Sequence, residues 1–241
     1  MLHTLFISDL HLSPDRPAAT EGLMRFLRDT APAAEALYVL GDLFEYWIGD
    51  DALDQPISRE VAAAFRALAG RGVRLSFMHG NRDFLIGSRF LRESGMQLLT
   101  DPTLINLYGP PTLLMHGDTL CSDDAEYQKF RAMVRDAAWQ EAFLAKPLAE
   151  RVRMAQDVRG QSEQAKRVKD VAIMDVAPAT VEEVLRSHAY PRLIHGHTHR
   201  PARHEHVVDG RRCERWVLAD WYEQGSYLLC DAAGCRAVPV K

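Results

Sequence analysis

The chain has 241 residues, 47% of them hydrophobic, enough for one sizeable core with or without an insert. Its formal net charge of −4 provides no broad basic field, which argues against nucleic acid as a partner. No apolar stretch nears the ~18 residues of a membrane span, and Asp9 and His11 interrupt the N-terminal apolar run, so neither an anchor nor a secretory leader is expected. Cys121, Cys213, Cys230 and Cys235 lack zinc-type pairing and are expected as free thiols in a reducing cytoplasm.

Leu2 to Ser8 is almost continuously apolar, the pattern of a strand buried on both faces, and it delivers Asp9-Leu10-His11. Leu23, Phe26 and Leu27 carry helical spacing over Thr20 to Arg28, with Thr20 as the expected N-cap. Ala36 to Leu40 reads as a second strand; Gly41 turns it sharply and Asp42 emerges at its carboxyl end. The aromatic loop Glu45 to Asp51 follows, then a helix over Ser58 to Leu68, capped by Ser58 and ended by Gly70 and Gly72. Val73 to Met78 is a third strand and delivers Gly80-Asn81-Arg82-Asp83, before a short helix over Ser88 to Glu93. Thr112 to Met115 delivers His116-Gly117-Asp118.

From Asp123 to about Ser187 only helical spacing is seen, with breaks expected near Lys146-Pro147 and at Gly160. Within it, Lys146 to Lys169 holds seven Lys or Arg against three Asp or Glu. We expect residues 123–187 to form a helical insert over the strand ends, and residues 1–122 and 188–241 to form the core. Leu193-Ile194 then delivers His195-Gly196-His197-Thr198-His199, and strands are expected over Arg215 to Leu218, Ser226 to Cys230 and Arg236 to Val240.

Strand ends thus present Asp9, His11, Asp42, Asn81, His116, His197 and His199, oxygen and imidazole donors without a cysteine. That mixture suits Mn²⁺, Fe²⁺ or Zn²⁺. Seven donors exceed the need of one ion, and shared across Asp42 they fit two ions about 3.5–4 Å apart. Gly41, Gly80 and Gly196 stand beside the donors and leave room for them to converge. Each piece alone has a plainer reading: Gly41-Asp42 as a turn, Asn81 as a left-handed turn residue, the histidines as a buried cluster. The order D-x-H, G-D, G-N-R-D, H-G-D, G-H-T-H, each after an apolar strand, favours chemistry.

These five motifs resemble those of the calcineurin-like metallophosphoesterases, over residues 2 to about 200. The resemblance implies an α/β fold, an αββα sandwich with the helical insert as a cap over a dinuclear site. It implies one metal on Asp9, His11, Asp42 and His199, and a second on Asp42, Asn81, His116 and His197. His195 is no ligand in that pattern; it supports the site from behind or is simply buried. Where the family carries a histidine that assists the leaving group, this chain has Arg82. Its pKa lies above about 12, so it cannot donate that proton, but it can clamp phosphate oxygens. A leaving group that is itself a phosphate needs no such proton, which suits a pyrophosphate.

Glu45 to Asp51, Gly80 to Leu85, His116 to Cys121, Asp124 and Ala172 to Val176 narrow the resemblance to one branch of that family, in lipid A synthesis. It implies hydrolysis of the pyrophosphate of UDP-2,3-diacylglucosamine to UMP and the 1-phosphate. Water would attack the UMP-side phosphorus, with two Mn²⁺ ions per chain and Asp42 and Arg82 as catalytic residues. Substrate contacts are implied for Asn81, Arg82, Asp124, Ser162, Lys166, Lys169 and His197. The implied location is peripheral, on the anionic cytoplasmic face of the inner membrane, with no obligate protein partner. Lys166 and Lys169 share a helix face that either meets phosphate or is solvated. Trp139, Phe143 and Leu144 either line an acyl groove or pack a core. Another dimetal nucleotide or phosphodiester phosphatase of the same family, and a metal-stabilised, membrane-associated scaffold without turnover, are the competing readings.

Overall fold

A computed structural model describes residues 2–168, 175–223 and 225–240, with backbone alone for residues 159 and 161–168. In chain order the first half contains β1 (Thr4–Ile7), α1 (Pro17–Arg25), β2 (Ala36–Val39), α2 (Pro56–Ala69), β3 (Arg74–Met78), α3 (Ser88–Ser94), β4 (Gln97–Leu99), β5 (Thr103–Asn106) and β6 (Pro111–Leu114). Then follow α4 (Ala125–Arg135), α5 (Ala137–Leu144), α6 (Leu148–Val168), α7 (Pro178–Ser187), β7 (Arg192–His195), β8 (Ala202–Val208), β9 (Arg211–Val217), β10 (Ser226–Asp231) and β11 (Gly234–Pro239).

The strands form two sheets, ordered β11-β10-β1-β2-β3-β4 and β5-β6-β7-β9-β8. β1 through β4 run parallel, as do β6, β7 and β9, while β10, β11, β5 and β8 pair antiparallel at the flanks. The period of two along each strand builds the layers. Phe6 of β1 packs with Leu114 of β6, Ile194 of β7 and Leu228 of β10 in a core between the sheets. Its neighbours Leu5 and Ile7 face the other way, against Leu23 of α1 and Phe65 of α2. Leu113 and Leu193 turn outward beneath Val181 and Leu185 of α7. The result is the expected αββα arrangement, and burial on both faces explains why β1 reads as an unbroken apolar run.

Several boundaries depart from expectation. α1 begins at Pro17 and α2 at Pro56, not at capping hydroxyls; a proline at the first helical position brings a preset φ and no orphaned N–H. Thr20 and Ser58 lie inside these helices. α5 ends before Pro147 as expected, but α6 runs through Gly160, whose helix penalty of about 1 kcal/mol is too small to break it. β4, β5 and β8 were not foreseen: they are edge strands, short or largely exposed, without an apolar run. The free-thiol expectation fails for one pair. Cys230 and Cys235 face each other across the β10–β11 hairpin, Cα atoms 4.1 Å apart, and form a disulfide. Only the hairpin register, invisible in their spacing, brings them together; Cys121 and Cys213 are buried thiols. Among the described residues, no helix is long and apolar enough to cross a membrane.

Candidate metal centre

Parallel strands aim their carboxyl ends at one edge. Asp9 and His11 follow β1, Asp42 follows β2 and Asn81 follows β3; His116 follows β6, and His197 and His199 follow β7. Pairing continues beyond the strands: Asp9 N–H donates to Gly41 O at 3.1 Å, His11 N–H to Asp42 O at 3.0 Å and Gly196 N–H to His116 O at 2.8 Å. Five of the seven expected donors hold positive φ, namely Asp9 (55°), His11 (51°), Asp42 (53°), His197 (69°) and His199 (54°). The left-handed region costs an L-residue on the order of 1–2 kcal/mol, so the surroundings must impose it. The glycines serve as expected: a Cβ on Gly80 would collide with Asp42 Oδ1, and one on Gly196 with Asp9 Oδ2.

The donors converge in two overlapping sets. Asp9, His11 and His199 offer ligand atoms within 4.8 Å of one another, and so do Asp9, Asp42 and His116. Asp9 is common to both. Asp42 turns Oδ2 toward His11 Nε2 and Oδ1 toward His116 Nε2, each at 3.8 Å, so its two oxygens face the two sides. Asn81 Oδ1 lies 3.0 Å from His116 Nε2 and 2.9 Å from His197 Nδ1. All seven expected residues therefore come together.

Two features fit a divalent cation. Asp9 Oδ2 accepts from Ser8 Oγ (2.5 Å) and the His197 N–H (2.9 Å), whereas buried Asp9 Oδ1 has only the long 3.4 Å contact with His199 Nε2. His116 Nδ1 lies 2.8 Å from Leu40 O and must donate there, which leaves its Nε2 lone pair with a long bond from the Asn81 N–H (3.4 Å) and the closer Asn81 oxygen at 3.0 Å. His11 Nε2 and His199 Nε2 likewise face each other at 3.1 Å. Such acceptor pairs need either a proton or a shared cation.

Electrostatics agrees. Burial, with the charges of Asp83 and Asp9, pushes the Asp42 carboxyl up to about 7 despite His116 nearby. Burial opposes charge on His116, but Asp42, Asp118 and Asp9 overcome it and raise the imidazole to about 9. Burial and the charge of His116 push His197 down to about 3. Burial works against charge on Asp9 too, yet the hydrogen bond to His199 and the surrounding histidines hold it below the usual carboxylate range. Metal-free, the cluster retains protons that a cation would displace.

His195 is buried, with Nδ1 on Gly196 O (2.9 Å) and Nε2 accepting from Arg215 (3.1 Å), and turns no nitrogen to the donors. Burial and Arg215 push it down to about 3. Sequence reasoning gave no role to three buried carboxylates. Asp83 accepts from the N–H groups of Leu43 (2.7 Å) and Gly80 (2.8 Å), pinning two motif loops. Asp118 accepts from Tyr127 Oη (2.9 Å) and Arg131 Nε (2.6 Å), tying the His116 loop to α4. Glu45 stands 3.5 Å from His11 Nδ1. Asp83 and Asp118 were visible as the acidic ends of G-N-R-D and H-G-D.

A cavity of about 630 Å³ opens beside the donors. Asn81, Arg82, His197 and His199 form its polar end, and Phe84, Leu85, Val134, Trp139, Phe143 and Met154 its apolar arm. Trp139 and Phe143 line the cavity and also pack with the buried core, Phe143 as a member of it, so both readings of them hold in part, while Leu144 is exposed and outside the lining. Asp124 lines the cavity and caps α4, accepting from Tyr127 N–H at 3.1 Å. Ser162 and Lys166 fall on α6 but their side chains, like the whole of Lys169 and residues 172–174, lie outside the described residues.

A family profile for calcineurin-like phosphoesterase matches residues 2–201. The chain belongs to the calcineurin-like phosphoesterases. Among curated relatives, a UDP-2,3-diacylglucosamine hydrolase of Aromatoleum aromaticum is 54% identical over 97% of this chain and 95% of its own length. Proteins of the same name from Stenotrophomonas maltophilia and Aeromonas salmonicida are 51% identical over 96% of both chains, and 53% identical over 95% of this chain and 90% of theirs. In this phosphoesterase the matched segment contains all seven donors, but not everything that touches them. Asp220 Oδ2 lies 3.3 Å from His199 Nδ1, and the Tyr222 ring stacks on His11 at 5.2 Å.

Proposed function

We propose that the chain hydrolyses the pyrophosphate of UDP-2,3-diacylglucosamine to UMP and 2,3-diacylglucosamine 1-phosphate, a step of lipid A synthesis. The observation that carries the reading is identity above one half, over nearly the full length, to hydrolases named for that substrate. The cavity is in keeping with it: a polar end beside the donors suits the pyrophosphate, and the aromatic arm suits acyl chains.

In this reading Asp9, His11, Asp42 and His199 would hold one Mn²⁺, and Asp42, Asn81, His116 and His197 would hold the other. Such a pair supplies Lewis acidity to phosphate oxygens and lowers the pKa of a water. The chain's own residues do the rest. Arg82, whose N–H donates to Asp42 Oδ1 at 2.8 Å, reaches the polar end of the cavity and binds phosphate oxygens. Water adds to the UMP-side phosphorus, and the bond from that phosphorus to the bridging oxygen breaks. The departing sugar phosphate keeps the electron pair as a phosphate oxygen and needs no proton from Arg82. Helices of 123–187 cap the site, Trp139 and Phe143 hold acyl chains, and Asp124, Ser162, Lys166 and Lys169 contact the head group. The protein works peripherally at the cytoplasmic face of the inner membrane.

Release of UMP from the lipid substrate, dependent on added Mn²⁺, is the test. Faster turnover of cyclic nucleotides or simple phosphodiesters would reject the reading. Arg82→Ala should lower kcat at least 10²-fold, about the effect of losing one charge-stabilising donor, with Mn²⁺ content by elemental analysis unchanged.

A further inference from the structure

His11 and His199 turn Nε2 toward each other, and each has a carboxylate at its other ring nitrogen. The two carboxylates differ in reach. Asp220 is partly exposed and meets His199. Glu45 is only 3% exposed, and both of its oxygens have work within the site. Oε2 stands 3.5 Å from His11 Nδ1, and Oε1 stands 4.0 Å from Arg82 Nη1. A single buried carboxylate thus lies between a cation-competent imidazole and the guanidinium at the mouth of the cavity.

We propose that Glu45 is a positioning residue that sets His11 for the cation and Arg82 for the phosphate together. The Arg82 half rests on the function proposed above; the His11 half does not. A carboxylate beside Nδ1, at 3.5 Å within ion-pair but not hydrogen-bond geometry, favours the proton on that nitrogen and leaves the Nε2 lone pair for a cation. Arg82 has a fixed backbone, because its N–H donates to Asp42 Oδ1 and its carbonyl accepts from Trp47 N–H at 2.9 Å. Its long side chain still has several rotors, and a carboxylate beside the guanidinium restricts them. Glu45 is itself held rigidly: its N–H donates to Leu12 O at 3.0 Å, just past the pairing of Leu12 with Phe44. Burying a carboxylate is costly, and apolar packing at this position would not require one.

The experiment uses the chelator-stripped chain, wild type against Glu45→Ala, Glu45→Gln, His11→Ala, Arg82→Ala and Glu45→Ala/Arg82→Ala. Mn²⁺ dissociation constants come from calorimetric titration, kcat from UMP release at saturating Mn²⁺, and folding from circular dichroism. Glu45→Ala should weaken the His11-side cation on the order of tenfold or more. Glu45→Gln keeps an acceptor for Nδ1–H and should recover most of that affinity, while kcat stays depressed because the charge beside Arg82 is gone. At saturating Mn²⁺ the double variant should turn over no more slowly than Arg82→Ala alone. Unchanged Mn²⁺ affinity in folded Glu45→Ala overturns the His11 half, and multiplicative losses of kcat overturn the Arg82 half. If Glu45→Ala does not fold, Glu45→Gln with wild-type kcat overturns the Arg82 half, and Glu45→Gln with Mn²⁺ affinity as low as His11→Ala overturns the His11 half. A wild-type chain that binds Mn²⁺ but releases no UMP defeats the proposed activity, and the titration still decides the coupling to His11.

Discussion

At the donors, backbone and side chain are specified jointly. Asp9, His11 and Asp42 sit in left-handed turns that glycine would occupy more cheaply, so each position retains its side chain at a conformational cost. Crowding is equally tight: Gly196→Ala should bring a Cβ onto Asp9 Oδ2 and the Ser8 side chain. We expect it to lower the Mn²⁺ content and to destabilise the chain by about 1–3 kcal/mol, the usual penalty of overpacking, read by elemental analysis and urea denaturation. Protonation makes a second prediction. Asp42 titrates near 7 without a cation, and a proton there competes with binding. His116, raised to about 9, must shed its proton as well, so Mn²⁺ affinity should rise with pH from below 7 through about 9, with proton release on binding, measured by calorimetry in buffers of different ionisation enthalpy. The donors were legible because each is a polar residue abruptly following an apolar run. Glu45 was not, because its role comes from where the aromatic loop folds back on β1, and nothing in its neighbours encodes that.

Secondary-structure elements carry the site's surroundings. α4 is fastened to the His116 loop through Asp118, and α6 to the aromatic loop through Arg151, which pairs with Asp51 and donates to the carbonyl of Ile48. α5 contributes Trp139 and Phe143, stacked at 5.1 Å along the apolar arm. Trp139→Ala should thus raise KM for the diacylated substrate by about tenfold, the worth of roughly 1.4 kcal/mol of apolar contact. A UDP-sugar lacking acyl chains should be hydrolysed as before; equal effects on both would remove Trp139 from the acyl groove. Helical spacing located this region and Pro147 marked the break between α5 and α6, whereas the break at Asp136 between α4 and α5 was not legible. Edge strands β4, β5 and β8 were illegible, since a strand with one exposed flank and alternating polar residues lacks an apolar run.

On the scale of the whole molecule, the cluster is a joint between two sheets. Asp9, His11, Asp42 and Asn81 come from one, His116, His197 and His199 from the other, and the core around Phe6, Leu114 and Ile194 fixes their separation. Ile194→Ala should cost about 2–5 kcal/mol in denaturation of the metal-free chain and, by loosening the sheet pair, reduce Mn²⁺ occupancy although Ile194 is no ligand. A variant that loses stability but binds Mn²⁺ as tightly as wild type would show the sheets to be aligned by other contacts. The core strands were legible as apolar runs, while the sandwich was implied only by the family resemblance; which strand neighbours which was not legible, because pairing between distant segments is decided by shape and burial.

The flank of β1 has a consequence for when this protein can become active during its synthesis. β1 pairs with β10, Thr4 opposite Cys230, and Asp9 O accepts from the N–H of Trp221 at 3.1 Å. The turn that presents Asp9 and His11 is thus braced by residues synthesised after all seven donors. A nascent chain carrying all seven donors but not β10 would expose an unpaired β1 edge, open to association with other chains. Assembly of the centre waits on the β10–β11 hairpin, which follows all seven donors along the chain.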